Sequence, residues 1–360
     1  MKQTQHIQRT RWTARARHLA QWVYVLTLYL TGALHWAKRS LRKKGAVVVL
    51  TFHRVLPEDA DTNSLPGMVA RETAFKALAR YLAAEYQLVR VEDTVPGAPS
   101  GKLPLAVTFD DGWLDCRSVV LPVARQYGVP FTVFLCSGLM GTAEPFWPEA
   151  LAHQRRPAKG STGTAELERI IEDLKSKPAE IRRGLLEEFG VKPEHGDATG
   201  PDQTISWDDA RAMAKSGVNF GSHTRRHEIL TTVGPETVRE ELDSSRFGIE
   251  EALGTKCVTL AYPNGDWNPG IARTARECGY RMAFTTQRAA WTADCDPFEI
   301  PRCNIAQDDI VGPRGNFSRA MFLYTVIWKA YGAMKDTSWK RVDSEFRGKA
   351  GRAGATGDCA

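Results

Sequence analysis

The chain has 360 residues, 42% of them hydrophobic and 25% charged, a balance that supports a sizeable buried core and excludes a chain disordered throughout. Much of the formal net charge of +6 sits near the two ends, and no zinc-finger spacing, basic zipper or aromatic-and-basic signature accompanies it, so nucleic acid is set aside as a partner. Seven cysteines, an odd number scattered from Cys116 to Cys359, exclude a framework in which every cysteine is paired within the chain and read as structural thiols.

Residues 1–44 form a basic N-terminal region around an apolar run. Leu19 to Trp36 reads LAQWVYVLTLYLTGALHW, without a charge, and about 18 such residues just suffice to span a bilayer as a helix. Trp22, Tyr24, Tyr29 and Trp36 suit a membrane interface. Arg9, Arg11, Arg15 and Arg17 precede the run, and Lys38, Arg39, Arg42, Lys43 and Lys44 follow it. The expectation is a membrane-anchor helix, with an in-plane amphipathic helix and a soluble helix as alternatives. Balanced flanking charge leaves the orientation open, and the lack of a small-residue cleavage site disfavours a removed leader.

Alternating strands and helices then begin. Ala46 to Phe52 is a β-branched apolar run of the kind that fits a buried strand, with His53 and Arg54 at its exit. Phe75, Leu78, Ala79 and Leu82, at i, i+3, i+4 and i+7, predict a helix over Glu72 to Glu85. Strands are expected at Leu88 to Val91, Leu105 to Phe109 and Pro130 to Leu135, the last two separated by a helix from Val119 to Tyr127 that Gly128 stops. Residues 155–203 turn charged and read as a helical insertion with helices over 166–175 and 179–189. The alternation resumes with helices at 208–216, 235–253 and 269–278 and strands at 218–221, 258–261 and 282–285. This order predicts an α/β barrel over residues 45–310, whose strand ends gather reactive side chains. Residues 311–360 are expected to hold a peripheral helix near Met321 to Tyr331 and a low-complexity tail.

Two motifs fall at such strand ends. Thr108-Phe109-Asp110-Asp111-Gly112 places adjacent carboxylates where their repulsion is costly unless a cation or proton absorbs it. Alone, it could equally be an Asx turn. Gly221-Ser222-His223-Thr224-Arg225-Arg226-His227 offers two imidazoles four residues apart, which alone are more often surface or core histidines than ligands. Taken with Asp111 they supply two nitrogens and one oxygen, the three-ligand pattern of a catalytic metal site with one open position.

TFDDG, the SHTRRH pair and Ala261-Tyr262-Pro263-Asn264-Gly265 resemble, in order and rough spacing, the polysaccharide deacetylases of carbohydrate esterase family 4, over about Val47 to Ile305. The run VVVLTFHRV is similar to the branch that modifies exopolysaccharide and capsule. The resemblance implies a distorted seven-stranded (β/α) barrel. It also implies a divalent ion, zinc first with cobalt, nickel and manganese as alternatives, on Asp111, His223 and His227, with Asp110 as general base. A groove wall would run through Tyr262, Pro263 and Asn264, and the Asn264 backbone N–H would hold the oxyanion. The implied substrate is an N-acetylated polysaccharide or oligosaccharide, acted on at the bacterial cell envelope, in association with the inner membrane.

The chain departs from the family pattern in three places. Ala261 stands where the third motif usually has Arg; Ile300-Pro301-Arg302-Cys303-Asn304 replaces the usual late Leu-x-His, and no histidine follows His227; Glu228 replaces the usual Pro after the second histidine. Arg302 is expected to supply the guanidinium that orients Asp110, with a surface salt bridge as its alternative. His53 is expected to supply the acid, with a structural strand-end role as its alternative. The competing functions are a non-catalytic glycan-binding or assembly subunit, a deacetylase of peptidoglycan or a lipid-linked amino sugar, and a hydrolase of non-sugar C–N bonds.

Overall fold

The computed structural model describes residues 20–98, 101–155, 163–191 and 200–335. Arg9, Arg11, Arg15, Arg17, the low-complexity tail and Cys359 lie outside them. Six cysteines in the described part are free.

Ten strands form among the described residues: β1 (Val48–Phe52), β2 (Arg54–Leu56), β3 (Val69–Arg71), β4 (Gln87–Leu88), β5 (Pro104–Phe109), β6 (Phe131–Leu135), β7 (Asn219–Ser222), β8 (Thr259–Ala261), β9 (Met282–Phe284) and β10 (Cys303–Asn304). Seven run in the order β10-β1-β5-β6-β7-β8-β9, β4 joins β5, and every pairing in this sheet is parallel. Strands β1 and β6 are buried along their whole length, as expected for strands covered on both faces. The α/β barrel expected from the alternation of elements is therefore present. The stretch 300–304 joins its two edges. Ile300 N–H donates to the Ala283 carbonyl and the Ile300 carbonyl accepts from Thr285 N–H, while Cys303 and Asn304 pair with Leu50 and Thr51. Gly221 lies inside this ring, where an added Cβ would meet Thr259 Oγ1 at 2.4 Å and the Phe134 ring at 2.6 Å.

Helices cover the outside: α1 (Ala33–Lys43), α2 (Glu72–Glu85), α3 (Leu121–Tyr127), α4 (Trp147–Gln154), α5 (Gly163–Lys175), α6 (Ala179–Glu188), α7 (Trp207–Lys215), α8 (Pro235–Leu253) and α9 (Pro269–Glu277). The insertion between β6 and α7 starts earlier than the charge pattern indicated. Its first helix, α4, precedes residue 155 and shares a separate core with α5 and α6 through Leu151, Ile171, Leu174 and Leu186. Two short strands, β2 and β3, form a small parallel pair beside the mouth of the barrel.

The expected membrane-spanning helix over 19–36 is not formed. Residues 20–30 are helical, but Thr31 and Gly32 turn the chain, Gly32 with φ 78°, before α1 begins. Among the described residues no helix is long and apolar enough to cross a membrane. Much of the apolar character has a protein partner instead. Leu34, Ala37 and Leu41 of α1 enter the main core, and Val25 packs with Ala320 and Met321. The C-terminal helical stretch that covers them is itself part of that core, with Phe322, Leu323, Val326 and Ile327 fully buried. It is not the peripheral appendage expected.

Candidate active site

The reactive residues come from the carboxyl ends of barrel strands. Asp110 follows β5 directly, and its N–H donates to the Phe52 carbonyl at 2.9 Å. Asp111 (φ 73°) and Gly112 (φ 78°) both adopt left-handed backbone, a conformation open to glycine and, at some cost, to aspartate. The resulting sharp turn sets the two carboxylates at the barrel mouth.

Asp111, His223 and His227 converge, each offering a ligand atom within 4.8 Å of the others. Asp111 Oδ1 lies 3.5 Å from His223 Nε2 and 3.4 Å from His227 Nε2. These separations are long for hydrogen bonds. They equal the edge of a tetrahedron around an ion with bonds of about 2.1 Å. Two further observations fit an ion there. Asp111 Oδ1 is buried with no hydrogen-bond partner, a costly arrangement for a carboxylate unless a cation compensates it. His223 Nδ1 sits 2.8 Å from the Ala261 carbonyl, so it carries the proton and directs the Nε2 lone pair at the cluster, the arrangement that fixes the tautomer of metal-bound histidines. Asp111 Oδ2 accepts from Trp113 Nε1–H at 2.9 Å.

The histidine loop is held under strain. Thr224 (φ 65°) and His227 (φ 59°) are left-handed, and the buried Glu241 side chain accepts from the N–H groups of Arg225 and Arg226, both at 2.9 Å. Such strain persists only when the surroundings enforce it, and it concentrates at functional sites. Loss of hydration lowers the His227 pKa to about 3, against the opposing charge of Asp111, so the ring is a neutral donor.

Arg302 lies inside the barrel, fully buried, and grips both Asp110 oxygens at 2.7 Å. This is a buried bidentate pair, not a surface salt bridge. The Thr285 carbonyl accepts from its Nε–H and Thr51 Oγ1 from Nη1, both at 3.0 Å. Burial opposes the charge on Asp110, yet the Arg302 guanidinium outweighs it and holds the carboxyl well below the usual carboxylate range. The group is thus ionised and able to accept a proton.

A cavity of about 90 Å³ opens onto these residues, lined also by His53, Tyr262 and Asn264. It is far smaller than the roughly 300 Å³ at the low end of ordinary ligand pockets, so it suits the reacting end of a substrate. His53 Nδ1 is buried without a partner, and loss of hydration lowers the ring's pKa despite the carboxylates nearby. Asn264 (φ 59°) reaches the cavity from a strained turn, with its side-chain amide donating to Asp266. Tyr262 is buried and its hydroxyl donates to the Phe298 carbonyl. Pro263 is buried but does not line the cavity.

Three contributors escaped the sequence reading. Trp113 follows the DDG motif directly, and its indole N–H was the available signal. Arg54 is buried between Asp115 (2.8 Å) and Asp202 (3.0 Å) and stacks on Trp113, which braces the turn from behind. Glu149, on α4, lines the cavity and lay outside the insertion as drawn from charge.

A family model described as polysaccharide deacetylase matches residues 97–283. The chain belongs to that family. Among curated relatives, this chain is 23% identical over 208 residues to YxkH of Bacillus subtilis, a match covering 58% of this chain and 53% of YxkH, so the alignment spans about half of that relative. It is 20% identical over 284 residues to the poly-beta-1,6-N-acetyl-D-glucosamine N-deacetylase of Staphylococcus epidermidis, covering 75% of this chain and 83% of that protein. Among solved structures, the Streptococcus pyogenes deacetylase PplD in complex with acetate aligns with a TM-score of 0.53 at 16% identity, over 78% of this chain and 98% of PplD. IcaB from Ammonifex degensii aligns at 0.50 and 18% identity, over 79% and 97%. At these identities the structures show a shared fold.

Proposed function

We propose that this polysaccharide deacetylase hydrolyses the N-acetyl groups of amino sugars in an exopolysaccharide or related cell-envelope glycan. The observation that carries the reading is the partnerless Asp111 Oδ1 between two imidazole nitrogens, with the ionised Asp110 beside it. The name of the Staphylococcus epidermidis relative supports an N-acetylglucosamine polymer as the first substrate to try. Asp111, His223 and His227 would hold a divalent ion, and two nitrogens with one oxygen favour zinc. When bound, the ion acidifies water and polarises the amide carbonyl. Asp110, steadied by Arg302, takes the proton of the attacking water. The Asn264 backbone N–H, on a residue that lines the cavity, would donate to the developing oxyanion. Retention of this strained, charged arrangement weighs against a subunit that only binds glycan, because binding needs neither an ionised base nor a ligand set.

The test is acetate release from β-1,6-linked N-acetylglucosamine oligomers and from chitooligosaccharides. Release that chelation abolishes and Zn²⁺ restores is the expected result. Metal-loaded protein that binds oligomer without releasing acetate would establish the binding subunit, and release from simple acetamides alone would establish a non-sugar amidase.

For the N-terminal region, attachment to a membrane surface replaces spanning. Val23 (55% exposed), Leu26 (38%) and Leu30 (74%) fall on one face at i, i+3 and i+7, opposite the buried Val25, and Arg39 and Lys43 on α1 and Lys44 just after it are exposed. An apolar face flanked by basic residues suits the surface of an anionic bilayer. The expected result is cosedimentation with phosphatidylglycerol-containing vesicles that Leu26→Glu/Leu30→Glu abolishes; equal sedimentation of both proteins would refute the attachment.

A further inference from the structure

Hydrolysis of an amide needs two proton transfers, and His53, the donor expected for the second, is a ring whose hold on a proton burial weakens. Once water has added to the carbonyl, the amine leaves only as it is protonated, and this chain has no histidine after His227. A donor must face the same cavity as Asp110, start with a proton at neutral pH, and stand apart from the ligand cluster.

Glu149 meets these conditions. It sits in the first turn of α4 and is 5% exposed, and it shares the cavity lining with Asp110, Asp111, His223 and His227. It falls outside the group of ligand atoms formed by Asp111, His223 and His227. No described cation pairs with it, in contrast to the buried carboxylates Asp110, Asp115 and Asp202, each of which meets an arginine. A buried carboxyl without a cation is most stable as the neutral acid. Loss of hydration accordingly pushes its pKa up to about 8, with the Asp111 charge adding to the effect and Arg54 opposing it.

We propose that the Glu149 carboxyl is the proton donor to the departing amine, an inference that rests on the deacetylase reading above. In the step it performs, the C–N bond of the tetrahedral adduct breaks and its electron pair passes to nitrogen. Nitrogen takes the Glu149 proton, and acetic acid and the free amino sugar result. The proton that Asp110 took from water returns to Glu149 through solvent, which closes the cycle. The chemistry follows the pattern of paired carboxylates whose surroundings drive their pKa values apart, one an ionised base and the other a neutral acid. It also gives the insertion a part in the reaction, because α4 carries the acid to a barrel that carries the base.

The test compares two leaving groups in the Zn²⁺-loaded full-length protein. An amine needs the proton, whereas the 4-nitrophenolate of 4-nitrophenyl acetate departs without it. Glu149→Gln keeps the size and polarity of the side chain. The expected result is a loss of about 10²–10⁴-fold in acetate release from N-acetylglucosamine oligomers, with ester turnover and bound zinc unchanged, and partial recovery of the amide reaction in Glu149→Asp. His53→Ala is the comparator. An amide-selective loss in His53→Ala but not in Glu149→Gln would overturn the assignment, as would equal losses on both substrates in Glu149→Gln. A wild-type protein that binds zinc but releases no acetate from either substrate would remove the deacetylase reading, and this inference with it.

Discussion

Arg302→Met is expected to destabilise the protein by about 3–5 kcal/mol, the usual cost of leaving one member of a buried ion pair unmatched. Asp110 would then stay buried beside Thr51 and Thr108 with neither oxygen facing a cation. For a chain of 360 residues the loss amounts to a fall of about 4–7 °C in melting temperature. Asp110→Asn on the same background removes the stranded charge, so the double variant should melt above Arg302→Met alone. The double-mutant cycle isolates the coupling of the pair from the loss of the arginine's contacts with Phe134 and Phe284. A melting temperature within about 2 °C of wild type for Arg302→Met would show that Arg302 lies at the surface, the alternative that its sequence context left open.

The origin of Arg302 explains how far sequence could take the site. Asp110, Asp111, His223 and His227 were legible because each sits one to five residues past an expected strand, which before the two aspartates is a largely buried apolar run. Period and motif there occupy the same stretch of chain. The need for a guanidinium near Asp110 was legible too, since Ala261 left the usual position without one. The grip itself, two bonds of 2.7 Å from a residue 192 positions away, depends on closure of the barrel by β10. That strand has two residues, too few to show a period. Short elements failed generally: β2, β3 and α4 left no pattern, and Pro148 and the two-turn length of α4 concealed the helix that carries Glu149.

The N-terminal region failed for a different reason. Leu34, Ala37 and Leu41 look alike in sequence whether lipid or protein covers them, because burial against either rewards the same side chains. Only the partner distinguishes the two, and the partner is the stretch around Phe322 to Ile327, almost three hundred residues downstream. Gly32 is the one local signal against a continuous span, since its left-handed φ ends the helix.

Asp110→Asn and His223→Ala should separate the two halves of the site. The asparagine keeps the shape of Asp110 but cannot take a proton, so kcat should fall about 10²–10⁴-fold while zinc content stays near one per chain. In His223→Ala the cluster keeps a carboxylate and one imidazole, the Ala261 carbonyl loses its donor, and both zinc and activity should be lost. Thermal stability gives a readout independent of turnover. An ion that binds only the folded state stabilises it by about 2.7 kcal/mol at a concentration 100 times its Kd. Added Zn²⁺ should therefore raise the melting temperature of Asp110→Asn as it does wild type, and leave that of His223→Ala unmoved. Equal zinc loss in the two variants would mean that Asp110 is itself a ligand. Its grip by Arg302 argues against that, because both of its oxygens are already committed to the guanidinium, whereas Asp111 keeps one oxygen with no partner.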